Sequence, residues 1–244
     1  MRIAEIFRSI QGEGRLTGTP SVFVRTSGCN LRCWFCDTPY ASWQPEGEDL
    51  SVDEIVQRVL ALGGRHVVVT GGEPMLFAEL IPLCDRLARL GRHITVETAG
   101  TLYLPVRCDL MSISPKLSNS TPRSGQDRTR PSGAADSATR PEYDRWTRRH
   151  ERTRTAPQVV QRLIDQYEYQ LKFVIDRPED CAEMEAYLER LSGVERCRVL
   201  LMPQGRGRDE LAERAEWLSA YCAQHGYVFC PRRQIEWFGL QRGT

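Results

Sequence analysis

Hydrophobic residues recur along this chain in two alternating patterns. Short runs rich in Val, Ile and Leu are typical of buried β-strands. The longer stretches between them repeat their apolar residues every three or four positions, which is typical of amphipathic helices. Strand and helix patterns that alternate in this way predict parallel βα units. The six predicted strands are 22–26, 66–70, 93–97, 109–113, 170–175 and 198–201.

Five helices are predicted between and after these strands, at 52–62, 77–90, 157–167, 178–191 and 209–225. The first has a clear start, because Ser51 precedes it and Glu54 follows Ser51 by three residues, as in a capping box. Gly63 and Gly64 then end that helix. Six strands with intervening helices predict an α/β fold, namely a partial (β/α)6 barrel rather than the closed barrel of eight.

Residues 121–155 depart from this pattern. They contain nine arginines and five acidic residues but few large apolar side chains. Such a segment cannot bury enough apolar area to offset its conformational entropy, so we interpret it as a mobile surface insertion within a single domain spanning 1–244. Its Arg-rich end could contact RNA or a redox partner, but a solvated arm is favoured. We expect its removal to leave the rest of the protein largely unaffected.

Composition limits the classes of protein that this chain can represent. A hydrophobic content of 41% in 244 residues supports one α/β domain, and a net charge of +1 gives no general reason to expect nucleic-acid or membrane binding. Glu5 and Arg8 interrupt the region where a signal peptide needs an apolar core. Nine cysteines in such a sequence indicate reduced thiols or metal ligation, so a cytoplasmic location is predicted.

Lysine is rare, since all but two of the 33 basic residues are arginine. Codon bias is the simple explanation for the arginines. Lys116 and Lys172 then become candidates for sites that need a compact ammonium group, because Arg and Lys differ in geometry and hydration.

Cys29, Cys33 and Cys36 form a Cys-x3-Cys-x2-Cys cluster shortly after a predicted strand. Thiolates are ligands for both iron–sulfur clusters and zinc. Three ligands on a four-iron cube leave one iron free to bind a small molecule, whereas a structural zinc site usually has a fourth ligand. The spacing alone favours the iron–sulfur cluster and leaves zinc as the alternative.

The cysteine cluster, with Phe35 just before its last member, resembles the signature of the radical S-adenosylmethionine (SAM) superfamily. The Thr-Gly-Gly-Glu-Pro sequence at 70–74 resembles the GGE motif of the same superfamily. The resemblance implies a partial (β/α)6 barrel and a 4Fe-4S cluster whose free iron binds SAM. Both motifs follow predicted strands, where ligands of α/β proteins bind.

Further motifs resemble the 7-carboxy-7-deazaguanine synthase family; they lie at 11–14, 25, 36–38, 97–100, 114–116, 171–172, 202–204 and 234–239. This resemblance implies a lyase of queuosine and 7-deazapurine biosynthesis that converts 6-carboxy-5,6,7,8-tetrahydropterin to 7-carboxy-7-deazaguanine and ammonia. The implied mechanism begins with one-electron reduction of the cluster and cleavage of SAM. A magnesium-assisted radical ring contraction of the substrate follows.

The family pattern also implies roles for individual residues. Arg25 would bind the substrate carboxylate, for which its planar guanidinium is suited. The other implied substrate contacts are Ile10, Gln11, Gly12, Glu13 and Thr70. Thr38 would bind Mg2+, although its hydroxyl could equally cap a helix. The implied SAM contacts are Phe35, Gly72, Glu73, Glu97, Ser114, Pro115, Lys116, Met202, Pro203, Gln204 and Gly205.

Several alternatives stay open at this level. Glu73 could receive an ammonium group, or its motif could be an ordinary turn; Lys172 could be a member of an interior ion pair. An activase for glycyl-radical enzymes would share the cysteine and GGE motifs, and a non-catalytic zinc- or RNA-binding protein would use the cysteines structurally. The resemblance further implies a flavodoxin- or ferredoxin-type electron donor and a homodimer, with no membrane or nucleic-acid partner.

Overall fold

Nine strands form one sheet in the computed structural model, which describes residues 1–122 and 140–244. The strands are β1 (Arg2–Ile10), β2 (Pro20–Thr26), β3 (Glu48–Asp49), β4 (His66–Gly71), β5 (His93–Thr98), β6 (Leu110–Ile113), β7 (Tyr169–Ile175), β8 (Val199–Pro203) and β9 (Val228–Phe229). Across the sheet their order is β3-β1-β2-β4-β5-β6-β7-β8-β9. β1 pairs antiparallel with β2 and β3, and every other pairing is parallel.

Helices connect the parallel strands, as the alternating pattern predicts. The helices of the described residues are α1 (Pro39–Ser42), α2 (Val52–Leu62), α3 (Leu80–Arg89), α4 (Arg140–Arg154), α5 (Pro157–Gln166), α6 (Pro178–Leu188), α7 (Arg208–His225) and α8 (Arg233–Phe238), of which α1 precedes the short edge strand β3 and α8 follows the last strand. The predicted capping box of α2 is present: the Glu54 amide donates to Ser51 Oγ (3.3 Å) and the Ser51 amide donates to Glu54 Oε2 (2.8 Å).

The six predicted strands and five predicted helices are all confirmed, with ends that differ by at most a few residues. The central strands are hydrophobic on both faces because helices or loops cover them; β7, for example, is buried at six of its seven positions. Over the described residues the sheet stays open, with β3 and β9 at its edges, so the architecture agrees with a partial barrel. The parallel strands all end at the same edge, where bound ligands are expected.

β1 was not predicted, because its pattern is weak. Charged residues such as Glu5 and Arg8 lie within it, and only one of its nine positions is fully buried. It pairs antiparallel with β2 along nearly its whole length. The register places Ile10 beside Pro20, at the start of β2 and opposite to the cluster loop. The loop after Ile10 therefore reaches the cavity by its own course rather than through the strand pairing.

The expectation of a solvated arm is wrong for the second part of the predicted insertion. Residues Arg140–Arg154 form helix α4, which buries Tyr143 and His150 against the rest of the protein. The first part of the insertion, 123–139, lies outside the described residues. None of the helices in the described ranges is long and apolar enough to cross a membrane.

Candidate active site

The three clustered cysteines line one cavity at the carboxyl edge of the sheet, in the loop that follows β2. The Leu31 amide donates to Cys29 Sγ (3.4 Å), and Cys36 Sγ lies 3.1 Å from Ser42 Oγ. Burial raises the pKa of all three thiols, for Cys29 to about 12. Thiols in this state bind a metal only by losing their protons, so metal binding and proton release are coupled here.

No three His, Cys, Asp or Glu side chains of the described ranges converge closely enough to hold a single metal ion. The three thiols are instead set apart around the cavity. This soft donor set fits an iron–sulfur cluster with one iron facing the cavity.

The GGE motif holds the cluster loop in place through its backbone. The Gly72 amide donates to Thr26 O (3.1 Å) and the Glu73 amide donates to Gly28 O (2.9 Å). A Cβ added at Gly72 would collide with Gly28 O and would lie 2.5 Å from Ala41 O. Glycine is therefore required here because two backbone segments pass each other at contact distance.

Glu73 does not face the cavity as expected. It is fully buried, and its carboxylate accepts hydrogen bonds from the Met75 amide (3.0 Å), Thr98 Oγ1 (2.8 Å) and the Ala99 amide (2.8 Å). These three donors occupy both of its oxygens, so in this structure the side chain fastens the end of β4 to the end of β5.

Glu97, at the end of β5, is the centre of a polar cluster that joins three strands. It accepts hydrogen bonds from Gln11 Nε2 (3.3 Å), Thr70 Oγ1 (2.9 Å) and Lys172 Nζ (3.3 Å). All four residues line the cavity. Sequence reasoning assigned Gln11 and Thr70 to the substrate and Glu97 to SAM. The structure brings all three into contact with one another or with Lys172 through Glu97.

Lys172 continues this cluster to Glu13, whose Oε2 lies 3.0 Å from the ammonium nitrogen. Glu13 also accepts from Arg232 Nε (3.3 Å) and Gln234 Nε2 (2.6 Å). Burial alone would raise the pKa of Glu13, but Lys172 and Arg232 lower it to about 2. Lys172 is thus both an interior ion-pair member and part of the cavity wall.

Arg232 is a site residue that sequence reasoning missed. It lies just before α8, donates to Asp37 Oδ2 (2.5 Å) and Gly205 O (2.9 Å), and pairs with Glu13. It therefore ties the C-terminal segment to the cluster loop. No local sequence signal distinguishes it from the other 30 arginines, because its partners come from distant parts of the chain.

Arg25, at the end of β2, lines the cavity, and a hydrogen bond to Glu5 fixes the orientation of its guanidinium. Its Nε donates to Glu5 Oε1 (2.7 Å), and Tyr40 Oη donates to the same oxygen (2.7 Å). Among the described residues the two terminal nitrogens of Arg25 have no hydrogen-bond partner. The guanidinium is therefore oriented but retains the two donors that a planar carboxylate needs.

Thr38 occupies the N-cap position of α1, but its side chain makes no capping hydrogen bond. Its hydroxyl lies 3.8 Å from Cys36 Sγ and lines the cavity. The capping role considered above is thus not used. A hydroxyl oxygen at the cavity wall fits a hard cation such as Mg2+.

Most of the remaining predicted residues also reach the cavity. It is lined by Ile10, Gln11, Gly12, Glu13, Arg25, Thr70, Phe35, Gly72, Glu97, Ser114, Lys116 and Met202. Lys116 Nζ donates to Ser114 Oγ (2.8 Å). The predicted SAM contacts that do not form part of the wall are Glu73, Pro115, Pro203, Gln204 and Gly205. Residues after Met202 do not line the cavity, because the chain there follows the end of β7: the Gln204 amide donates to Ile175 O (2.8 Å).

Helix α4 supports the cluster loop, which no sequence signal indicated. The Arg32 amide donates to His150 Nδ1 (3.1 Å), and the other ring nitrogen bonds to Ser120 Oγ (2.9 Å). The Arg32 guanidinium lies 4.2 Å from the centre of the Trp146 ring. Arg32 stands next to Cys33, so α4 contacts the loop between two cluster ligands.

His150 gives this contact a predicted pH dependence. Burial is the main cause that lowers its pKa, to about 4. The unfolded chain binds a proton near pH 6.5, so the stability contribution is full above that pH and falls as the pH drops towards 4. We expect the cluster-free wild type to lose about 2 kcal/mol more than His150→Asn between pH 7 and pH 5 in urea unfolding. Equal losses in both proteins would contradict this assignment.

Comparison with known proteins agrees with the site. The family model described as Radical SAM superfamily matches residues 23–118 of this chain. The chain is 44% identical to the 7-carboxy-7-deazaguanine synthase of Rhodopirellula baltica over 99% of this chain and 88% of that protein. It is also 44% identical to the enzyme of that name from Halobacterium salinarum, over 96% and 88%. The crystal structure of QueE from Escherichia coli shares the fold, with a TM-score of 0.67 and 23% identity over 95% and 93% of the chains.

The fold and the cysteine cavity therefore define a radical SAM enzyme, with a 4Fe-4S cluster and SAM as its cofactors. Within that class, the chain belongs to the 7-carboxy-7-deazaguanine synthase family.

Proposed function

We propose that the protein converts 6-carboxy-5,6,7,8-tetrahydropterin to 7-carboxy-7-deazaguanine with loss of ammonia, in queuosine or related 7-deazapurine biosynthesis. The observation that carries this proposal is that the three cysteines share one cavity with an oriented, open guanidinium at Arg25. Similarity to synthases of this name over almost the whole chain supports it.

The three cysteines would hold the cluster, which with SAM supplies a 5′-deoxyadenosyl radical for hydrogen abstraction. The chain's own part is to bind, orient and shield the reactants. Ser114 and Lys116 line the side of the cavity formed by the end of β6, and Gly72 lets the backbone come close. These residues, with Phe35, Glu97 and Met202, form the proposed SAM contacts.

The substrate would lie between Arg25 and the loop after β1. Arg25 would bind its carboxylate in a two-pronged pair, and the Ile10–Gly12 backbone with Glu13 would bind the aminopyrimidinone edge. Glu13 Oε1 already accepts two donors, so its second oxygen, shared with Lys172, is the one with room for a substrate N–H. Thr70 would complete this side of the pocket.

Mg2+ would bind Thr38, whose hydroxyl is at the wall and free of a capping bond. The ion would keep several waters and polarise a substrate oxygen. The neighbouring Asp37 is the alternative ligand, but one of its carboxylate oxygens already accepts a hydrogen bond from Arg232.

Product formation tests the proposal directly. The anaerobically reconstituted protein, incubated with the carboxytetrahydropterin, SAM, dithionite and Mg2+, should form 7-carboxy-7-deazaguanine, and omission of Mg2+ should slow the reaction. Cys33→Ala should lose the cluster and turnover, whereas the exposed Cys197→Ala should keep both. Absence of the product from a cluster-loaded protein would refute the proposal and leave the activase alternative.

Arg25→Gln should weaken substrate binding more than chemistry. Removing a bidentate partner of a carboxylate costs about 1.5–3 kcal/mol, which is roughly a 10- to 100-fold rise in KM. Arg25→Lys should recover only part of the lost substrate affinity, because an ammonium group cannot present two parallel donors. Steady-state kinetics checks this; an unchanged KM with a reduced kcat would contradict a carboxylate-binding role.

We further propose a flavodoxin- or ferredoxin-type reductant, a homodimer, and a cytoplasmic location. All nine cysteines are free thiols, which is typical of a reducing compartment. The single domain 1–244 is likewise proposed as the working unit.

A further inference from the structure

Helix α4 has two faces of opposite character. The inner face packs on the protein and carries Tyr143, Trp146, Thr147, His150 and Arg154. The outer face carries four exposed arginines, Arg145, Arg148, Arg149 and Arg152. Their spacing of i, i+3, i+4 and i+7 places all four on one side of the helix. We call these four residues the arginine face.

The arginine face has no acidic partner among the described residues. Some exposed arginines elsewhere are paired, as Arg58 is with Glu48 and Arg242 is with Glu46, and others, such as Arg65 and Arg107, lie singly. Like charges three and four residues apart destabilise a helix by about 0.2–0.5 kcal/mol per pair. Four guanidinium groups on one helix face, bordered by the exposed Asp144 and Glu151, create a local positive potential on a chain of net charge +1.

This potential lies beside the cluster loop. The Arg149 guanidinium is 5.4 Å from the centre of the Trp146 ring, and the Arg32 guanidinium is 4.2 Å from the same ring. Arg32 Nη1 donates to Cys29 O (2.8 Å). A continuous series of contacts therefore leads from the arginine face through Trp146 to the backbone of the cluster loop.

We propose that the arginine face is the docking surface for an acidic one-electron donor protein of the flavodoxin or ferredoxin type. This rests on the proposed function, which requires the cluster to be reduced. One electron would leave the donor's reduced flavin or iron–sulfur centre and enter the cluster, and no bond in this chain would form or break. Charge complementarity steers such encounters and raises their rate.

The observations favour a protein donor over a nucleic acid. The pI of the chain is about 7.5, and the basic residues concerned occupy one helix face rather than a broad patch. Protein surfaces that bind single-stranded nucleic acid also carry exposed aromatic rings on which the bases stack. The aromatic ring beside the arginine face, Trp146, is partly buried beneath Arg32.

The test uses the cluster-loaded protein with all four residues changed to Gln, which retains helix propensity. A matched control replaces four exposed arginines, Arg65, Arg89, Arg107 and Arg190, which lie near the amino ends of the strands. Calorimetric titration with a purified flavodoxin should show Kd about 10-fold or more weaker for the arginine-face variant at low salt, with a smaller salt dependence. The rate of cluster reduction by flavodoxin hydroquinone should fall in parallel.

Turnover driven by dithionite separates docking from chemistry. It should be unchanged in the arginine-face variant, and the control variant should bind flavodoxin as the wild type does. Failure of the dithionite reaction in wild type would refute the proposed function, not the docking surface. Flavodoxin and ferredoxin affinities that are unchanged in the arginine-face variant would overturn the docking proposal. The docking proposal would also be overturned if the arginine-face variant lost affinity only for a single-stranded RNA oligonucleotide and still bound flavodoxin as the wild type does.

Discussion

Gly72→Ala should abolish most iron loading by the cluster loop. The new methyl group would overlap Gly28 O and crowd Ala41 O, both of which belong to backbone. Backbone cannot rotate away as a side chain can, so the loop that carries the cysteines must shift. Overpacking of this kind costs about 1–3 kcal/mol or more. Iron content per chain after reconstitution and urea unfolding of the cluster-free protein measure the two effects.

Gly207→Ala is the matched control. No atom lies within 4 Å of its added Cβ, and its φ of −131° suits any residue. Its substitution should leave iron content unchanged and reduce stability only slightly, through the N-cap of α7. Equal iron loading in both variants would show that the close approach at Gly72 is not needed to shape the cluster site.

Lys172→Met should destabilise the protein at neutral pH by about 3–5 kcal/mol, because it leaves buried carboxylates without their cation. Lys172 is 3% exposed and pairs with both Glu13 and Glu97. In the wild type the pKa of Glu13 is lowered to about 2, so this pairing contributes fully above pH 4.5 and is lost as the pH falls towards 2. The stability difference between wild type and variant should narrow over the same range.

A second substitution distinguishes charge from packing. Lys172→Met with Glu97→Gln removes one of the unpaired charges, while the amide oxygen can still accept from Thr70. The double variant should therefore be more stable than Lys172→Met alone at pH 7 in urea unfolding. If it is no more stable, loss of packing around the lysine stem, rather than unpaired charge, explains the single variant.

Helix and strand positions were predictable because burial leaves a periodic trace in the chain. α2 carries both its apolar spacing and its capping box within a dozen residues. β1 carries no such trace, since it alternates imperfectly and is held by pairing with β2. α4 was interpreted as a solvated arm because its composition is strongly polar. A few inner residues, above all His150, dock it on the cluster loop.

The candidate active site shows the same difference between features with a local sequence signal and features that depend on tertiary contacts. The cysteine spacing, the GGE motif and the family pattern around Arg25 are local, so the sequence by itself determined the class of enzyme, its 4Fe-4S cluster and SAM, and most of the residues that line the cavity. The tertiary structure alone decided which side chains meet. It showed that Glu73 links the end of β4 to the end of β5 and that Glu97 accepts hydrogen bonds from both Gln11 and Lys172. It also showed that Arg232 binds Asp37, which is 195 residues away in the chain. Contacts of that kind depend on how strands are ordered in a sheet, and no short stretch of sequence contains that order.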